Sequence, residues 1–418
     1  MERYSEYKDS GVKWLGEIPS HWEVMPLKSF IKFEKGKTPK EFSDENIGLP
    51  YLTMDYLRSR DNKIVKYPTA SIGLFKIEES EALVLWDGAN AGEFILSKKG
   101  YLGSTMAKIS GYKEYFNNLY FYYFLKMLEP TSKDFANGTT IPHFDASILI
   151  NYHYPIPPID EQIVIGSYLD AATSKIDKAI AMQQKMIDLL NERKQIIIQN
   201  AVTKGLDKNV EMKDSGVEWI GMIPKHWKVR RGKFLFRVVN EYSTTGQEEL
   251  LTVSDRTGIT PRSMKNVNMF MSESLIGYKK CQKGDICSNI MWMWHGAVGV
   301  TEYNGVISPS YGVYRQIAFS YDNKYLDYML RLPRLVEVYG NCSTGLTESR
   351  LRLYPDDFMN LQFFVPPLEE QKCIVLQIQK QIIAIEKSIE NAEKLITLLQ
   401  ERKQIIINEV VTGKVKVS

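Results

Sequence analysis

Between Pro157 and Gly205 the apolar residues Ile176, Ile180, Ile187 and Leu190, with Gln183 among them, fall alternately four and three positions apart. That spacing lays a stripe along one side of an α-helix at coiled-coil period. Pro157-Pro158 opens such a helix but cannot sit inside it, and Asp160 and Glu161 follow in the first turn, where the helix dipole favours acids. Gly205 supplies the stop. The pattern returns near the C-terminus as Ile385, Ile389, Ile396 and Leu399, with Ala392 in the place of Gln183 and Gly413 as the stop. Asn191-Glu192-Arg193-Lys194-Gln195 and Gln400-Glu401-Arg402-Lys403-Gln404 lie 209 positions apart. So do Pro157-Pro158 and Pro366-Pro367, and Glu161-Gln162 and Glu370-Gln371. A constant shift means no insertion or deletion. A rod whose length matters has that property, because one added residue turns everything beyond it by about 100°. About 40 residues at 1.5 Å each predict a rod of roughly 60 Å. Neither rod can cover its stripe alone, so the simplest expectation is that the two pack antiparallel.

A second repeat lies upstream. Lys8–Val24 reads KDSGVKWLGEIPSHWEV and Lys213–Val229 reads KDSGVEWIGMIPKHWKV, 205 positions apart. The chain is therefore two copies of one plan: short motif, variable region, long helix. The motif reads as a docking clip in which Trp14 and Trp22 pack, Pro19 sets a turn and Asp9-Ser10-Gly11 forms another. The predicted organisation is 1–154 (clip and first variable region), 155–205 (helix), 206–365 (clip and second variable region) and 366–418 (helix). In the first variable region strands are predicted at Pro50–Met54 and Ala82–Trp86 and a helix over Phe116–Leu128. In the second they are predicted near Leu250–Ser254, Asp285–Trp294 and Gly312–Ile317, with a helix over Asn323–Tyr339. Both regions carry a glycine-punctuated loop, Asp87–Gly92 against His295–Gly299, and a later Thr/Ser loop, Asn137–Thr140 against Cys342–Gly345. They look like diverged copies of one α/β domain. Joining the chain ends would complete the pattern, so a pseudo-twofold ring with neighbouring termini is expected.

Composition changes this picture little. With 44% hydrophobic and 25% charged residues the 418-residue chain suits several ordinary globular domains. A net charge of +3 permits local basic patches without demanding a polyanion partner. Cys281, Cys287, Cys342 and Cys373 all fall in the second half, so free thiols in a reducing cytoplasm are expected rather than a disulfide framework. No run reaches the ~20 apolar residues of a membrane span.

The chemistry of an enzyme is not legible. Gly36-Lys37-Thr38 resembles the end of a phosphate-binding loop, but the first glycine would fall at Ile31. No cysteine or histidine spacing predicts a metal, and no Asp/Asn-Pro-Pro-aromatic loop for amino methylation is present. Trp292 and Trp294, alternating with Met291 and Met293 on an expected strand, read as core rather than as a base platform. Basic, hydroxyl, amide, histidine and aromatic side chains in the variable loops are the candidates for nucleic acid, since they hold phosphates or read base edges. In the first region these are Lys37, Arg58, Arg60, Lys63, Asn90, Thr139, Thr140 and His143. In the second they are Arg256, Thr257, Arg262, Lys265, His295, Ser310, Tyr311, Thr344, Thr347 and Arg350.

The duplicated clip, PPIDEQ with PPLEEQ, and NERKQIII with QERKQIII together resemble the specificity subunit of Type I restriction–modification systems over nearly the whole chain. Gly284-Asp285-Ile286 and Gly305–Tyr311 also look like its target recognition patterns, from which Gly100–Thr105 of the first half departs. The resemblance implies an α+β protein: two α/β target recognition domains separated by two long antiparallel helices forming a coiled coil, with an internal pseudo-twofold repeat. It implies that each domain reads half of a bipartite, asymmetric DNA site and that the helices set the spacer. It further implies two docked modification (methylase) subunits, and motor–nuclease subunits in the full complex. Catalytic residues and metal are then expected to be absent here, with S-adenosylmethionine, ATP and Mg on the partners. The rival readings are a coiled-coil adaptor without sequence-specific DNA binding and a self-contained DNA methyltransferase.

Overall fold

The computed structural model describes residues 2–43, 45–59, 65–112, 115–134, 142–151, 153–265, 274–347 and 350–417. The candidates Arg60, Lys63, Thr139 and Thr140 lie outside them. The chain packs as two units, Met1–Lys185 with Ala392–Ser418, and Met186–Asn391. Each unit owns one clip, one α/β domain and a stretch of both long helices.

The helices run Ile159–Lys204, 46 residues, and Leu368–Val411, 44 residues. At 1.5 Å per residue each is about 65–70 Å long, slightly longer than the sequence predicts because the apolar spacing continues into the last turns. Gly205 and Gly413 end them with φ of +74° and +72°, a left-handed conformation in which a β-carbon would be strained. Within each unit the two helices run antiparallel. In the first unit Lys403 Nζ lies 2.7 Å from Asp177, and in the second Lys194 Nζ lies 2.6 Å from Glu386. These pairs occupy equivalent positions, since Lys403 follows Lys194 and Glu386 follows Asp177 by 209 residues. Along the stripe Ile187 and Ile385 are buried, while Ile176, Ile180, Leu190, Ile389, Ile396 and Leu399 are half-buried. A two-helix seam has no second layer above it, so only part of each side chain leaves water.

Each domain is built on a four-stranded antiparallel sheet. In the first unit the order is Phe94–Leu96, Ala82–Leu85, Met106–Gly111, Ile31–Lys35. In the second it is Val298–Val300, Ile286–Ser288, Gly312–Gln316, Phe236–Val238. The same order from unlike sequences makes the domains structural copies. Behind the first sheet lies the helix Asn118–Asp134, later in start and longer than predicted. Behind the second the single predicted helix is two, Asn323–Leu330 and Pro333–Cys342, because Pro333 starts a new helix but cannot continue the old one. The strand expected over Asp285–Trp294 stops at Ser288, and Met293–His295 is a tight turn. The long apolar stretch reads as one strand, yet Asn289 accepts from the Met291 amide at 3.2 Å and folds the chain back.

What fixes each domain to its helix is the Glu-Gln pair of the repeated PPxxEQ motif. Gln162 and Gln371 are fully buried. Gln162 Nε2 donates to the Pro157 and Tyr115 carbonyls at 2.8 and 2.7 Å, and its Oε1 accepts from the Asn117 amide at 2.9 Å. Gln371 repeats this with the carbonyls of Pro366 and Ser320, 2.9 and 3.0 Å, and the Asp322 amide, 2.9 Å. Only a primary amide can both donate twice and accept at one point. The neighbouring glutamates hold the clips. Trp22 Nε1 donates to Glu161 at 3.0 Å and Trp227 Nε1 to Glu370 at 3.1 Å, with His21 and His226 on the same carboxylates. Trp22 and Trp227 are buried, whereas Trp14 is exposed and meets the Tyr154 ring edge-on, at 5.5 Å. In the first unit Glu2 and Lys416 pair as a β-bridge, so the chain ends lie side by side.

Candidate nucleic-acid interface

In the first domain the described candidates gather around one turn, Asp87–Glu93, between the strands Ala82–Leu85 and Phe94–Leu96. Asp87 accepts from His143 Nδ1 at 2.7 Å and pairs with Lys35 at 3.1 Å. Partial burial pushes the Asp87 carboxyl up, but the His143 and Lys35 hydrogen bonds outweigh it and hold it below the usual range. Asn90 is exposed in the turn, its carbonyl accepting from the Glu93 amide at 3.1 Å. Arg58 ends a short helix, Met54–Arg58, and is paired with Glu93. Lys37 is exposed beside Gly36, whose backbone touches that of Gly103 so closely that a β-carbon would come within 2.2 Å of its carbonyl oxygen. Thr38 bonds Ser104 at 2.8 Å, which places Lys37 against the Gly100–Thr105 segment. The Trp86 amide joins the two sides by donating to the Thr105 carbonyl at 2.8 Å.

In the second domain the equivalent turn, 289–297, is again the centre. His295 and Arg256 line one cleft of about 610 Å³ with Lys194, Lys324, Arg331, Asp255, Asp327 and Glu386. Burial raises the Asp327 carboxyl, which accepts from the Val300 amide at 3.0 Å. Arg331 fixes the turn that carries Arg256 and Thr257 by donating to the carbonyls of Asp255 and, at 3.0 Å, Arg256. On the other side Asn289 Nδ2 donates to the Tyr311 hydroxyl at 2.8 Å, so Ser310 and Tyr311 border the same turn. Thr344 bridges to Arg352, and the Leu353 amide donates to the Ile290 carbonyl at 3.1 Å, bringing the exposed Thr344, Thr347 and Arg350 alongside. Arg262 and Lys265 are not brought there. They follow Pro261, at the end of the Leu251–Pro261 hairpin opposite Arg256.

Two features were not legible as site features beforehand. Asp285 of the Gly-Asp-Ile pattern is buried and held by Nε and Nη2 of Arg315, at 2.7 and 2.8 Å, so it braces the sheet and does not face outward. Trp292, expected in the core, is 53% exposed and stacks on Trp294 with ring centres 5.9 Å apart. Among the described residues no cluster of His, Cys, Asp and Glu could hold a metal ion, and no helix is long and apolar enough to cross a membrane.

Residues 19–186 match the Type I restriction modification DNA specificity domain. The MjaVIII specificity subunit of a Type I restriction enzyme from Methanocaldococcus jannaschii is 29% identical over 98% of this chain and 97% of its own. The EcoBI specificity subunit from Escherichia coli is 23% identical over 93% and 85%. A structure solved for the assembly and conformational transition of a Type I restriction–modification system covers 95% of this chain and 99% of its own, with a TM-score of 0.67 at 14% identity, a likeness of fold. With the duplicated clip, the two PPxxEQ helices and the paired sheets already in place, the chain is similar along nearly its whole length to Type I restriction enzyme specificity subunits.

Proposed function

We propose that this chain is the DNA sequence-recognition subunit of a Type I restriction–modification complex acting in the cytoplasm, each α/β domain reading one half of a bipartite, asymmetric site. The observation that carries the reading is the contrast within each repeat. The parts that dock, the clip, the PPxxEQ motif and the helix ends, are nearly the same twice, while the loops around the equivalent turns 87–93 and 289–297 share little. A scaffold kept alike and loops kept unlike suit two reading heads for two different half-sites. The duplicated scaffold equally suits two copies of one modification subunit, with motor–nuclease subunits added in the full complex. S-adenosylmethionine, ATP and Mg belong to those partners, and this chain binds none of them. The helices set the spacer, since a stiff helical element fixes length at 1.5 Å per residue.

The purified chain alone, incubated with S-adenosylmethionine and DNA, should transfer no methyl group, and with its methylase partner it should methylate adenine at one bipartite motif. Transfer by the chain alone would favour a self-contained methyltransferase. Methylation by the partner that ignores the presence or identity of this chain would leave only an adaptor.

A further inference from the structure

We propose that Trp292, Trp294 and His295 form a stacking platform for a nucleobase displaced from the DNA duplex. Trp292 and Trp294 stack almost parallel, 14° apart, and His295 leans on both, at 5.4 Å from Trp292 and 4.3 Å from Trp294. The indole of Trp292 is more than half exposed while the intervening Met293 is fully buried. The turn thus anchors itself through its least polar flexible side chain and presents its largest flat one to water. It is a rigid mount. Trp294 Nε1 donates to the Met291 carbonyl at 3.0 Å, Asn289 is tied to Tyr311, and Gly296, at φ +88°, lets the chain turn against Val336. Exposed aromatic faces held this way are a base-stacking surface that any base satisfies, because every base has a π face.

The surroundings favour nucleic acid over a protein occupant. His295 shares its cleft with Arg256, Lys324 and Arg331, and with Lys194 paired to Glu386, against the carboxylates of Asp255 and Asp327, and the exposed Arg350 lies by the Thr344–Arg352 bridge on the other side of the turn. Among the described residues the first domain shows no such platform. The equivalent turn of the first domain begins at Trp86, which is packed between Phe33 and Phe144 and followed by Asp87 and Gly88. A partner engaging both copies of the repeat alike would find this platform in only one of them, whereas a half-site is read by one domain only.

The proposal rests on the DNA-recognition reading, and its test separates the two. The full chain, bound to its methylase partner, is titrated with a fluorescent duplex carrying the methylated motif and with the same duplex bearing one bulged thymine at successive positions in the half-site. The platform predicts a position where the bulge tightens binding. W292A should abolish that gain, a loss of about 5- to 150-fold at 1–3 kcal/mol per stacked base, and W292F should restore most of it. If no bulge tightens binding, or if W292A keeps the gain, the platform is wrong while recognition stands. If W292A instead weakens capture of the methylase partner, while the complex assembled at saturating partner keeps the bulge-dependent gain, the stack is a protein-docking surface and the platform is likewise overturned. If the wild-type complex has no motif at all, both readings fall.

Discussion

Gln371 shows how much a single side chain carries when it bonds three backbone groups at once. Its loss leaves the buried Pro366 carbonyl, and the part-buried Ser320 carbonyl and Asp322 amide, without this partner. Gln371→Leu should lower unfolding stability by on the order of 3 kcal/mol, read as a shift in urea midpoint, and Gln162→Leu should do the same in the first unit. Asp87 makes a milder, pH-dependent contribution. Its carboxyl is held below the ordinary value of 3.8 in the folded chain, so the unfolded chain takes up the proton first as pH falls. The stabilisation is complete above the unfolded value and disappears as pH drops through the lower folded one. The difference in melting temperature between wild type and Asp87→Asn should therefore be present at neutral pH and shrink below about pH 4; a constant difference would remove Asp87 from the account. Neither role was legible in the sequence. The PPxxEQ motif reads as a helix start because proline and acids signal one, but the partners of the glutamine come from loops that pattern cannot place. Trp292 misled for a related reason: alternation with methionine mimics a strand, and only Asn289 bonding back to the Met291 amide turns the chain outward.

The long helices were legible almost to the residue, because a 3.5-residue period, opening prolines and a stopping glycine all agree over more than forty positions. The second domain's helix was legible in extent but not in its break at Pro333. The strands expected at 82–86, 250–254 and 312–317 are present within a residue or two, whereas Ile31–Lys35 and Met106–Gly111, the longer strands of the first sheet, were not read from the pattern. The ion pairs Asp177–Lys403 and Lys194–Glu386 fix the register of the antiparallel seam within each unit, but as largely exposed pairs each should contribute only about 0.2–1 kcal/mol. Length should matter far more. Inserting four residues near Gln183 and again near Ala392 adds about one turn to each helix and leaves the stripe within about 40° of its phase. The methylated motif should then keep both half-sites and gain one or two base pairs of spacer, as read by mapping modified adenines. An unchanged spacer would end the idea that the helices measure it.

Across the chain, duplication separates what is shared from what is read. The sheets have one strand order and both domains dock through a Trp–Glu and a buried Gln contact, yet the first-domain turn is acidic and polar, with Asp87, Asn90 and Glu93, and the second aromatic, with Trp292, Trp294 and His295. The first turn's side chains are largely neutralised among themselves, Asp87 by His143 and Lys35, Glu93 by Arg58. Breaking the last pair with Glu93→Gln frees the Arg58 guanidinium, and should raise overall DNA affinity and its salt dependence without changing the motif, as measured by titration at several salt concentrations. The most direct test of the account replaces residues 25–154 with the corresponding domain of another specificity subunit and maps methylated adenines in cells expressing the chimera with the methylase partner. The account predicts that one half of the motif changes while the other half and the spacer stay as they were; a motif altered in both halves, or in neither, would contradict it.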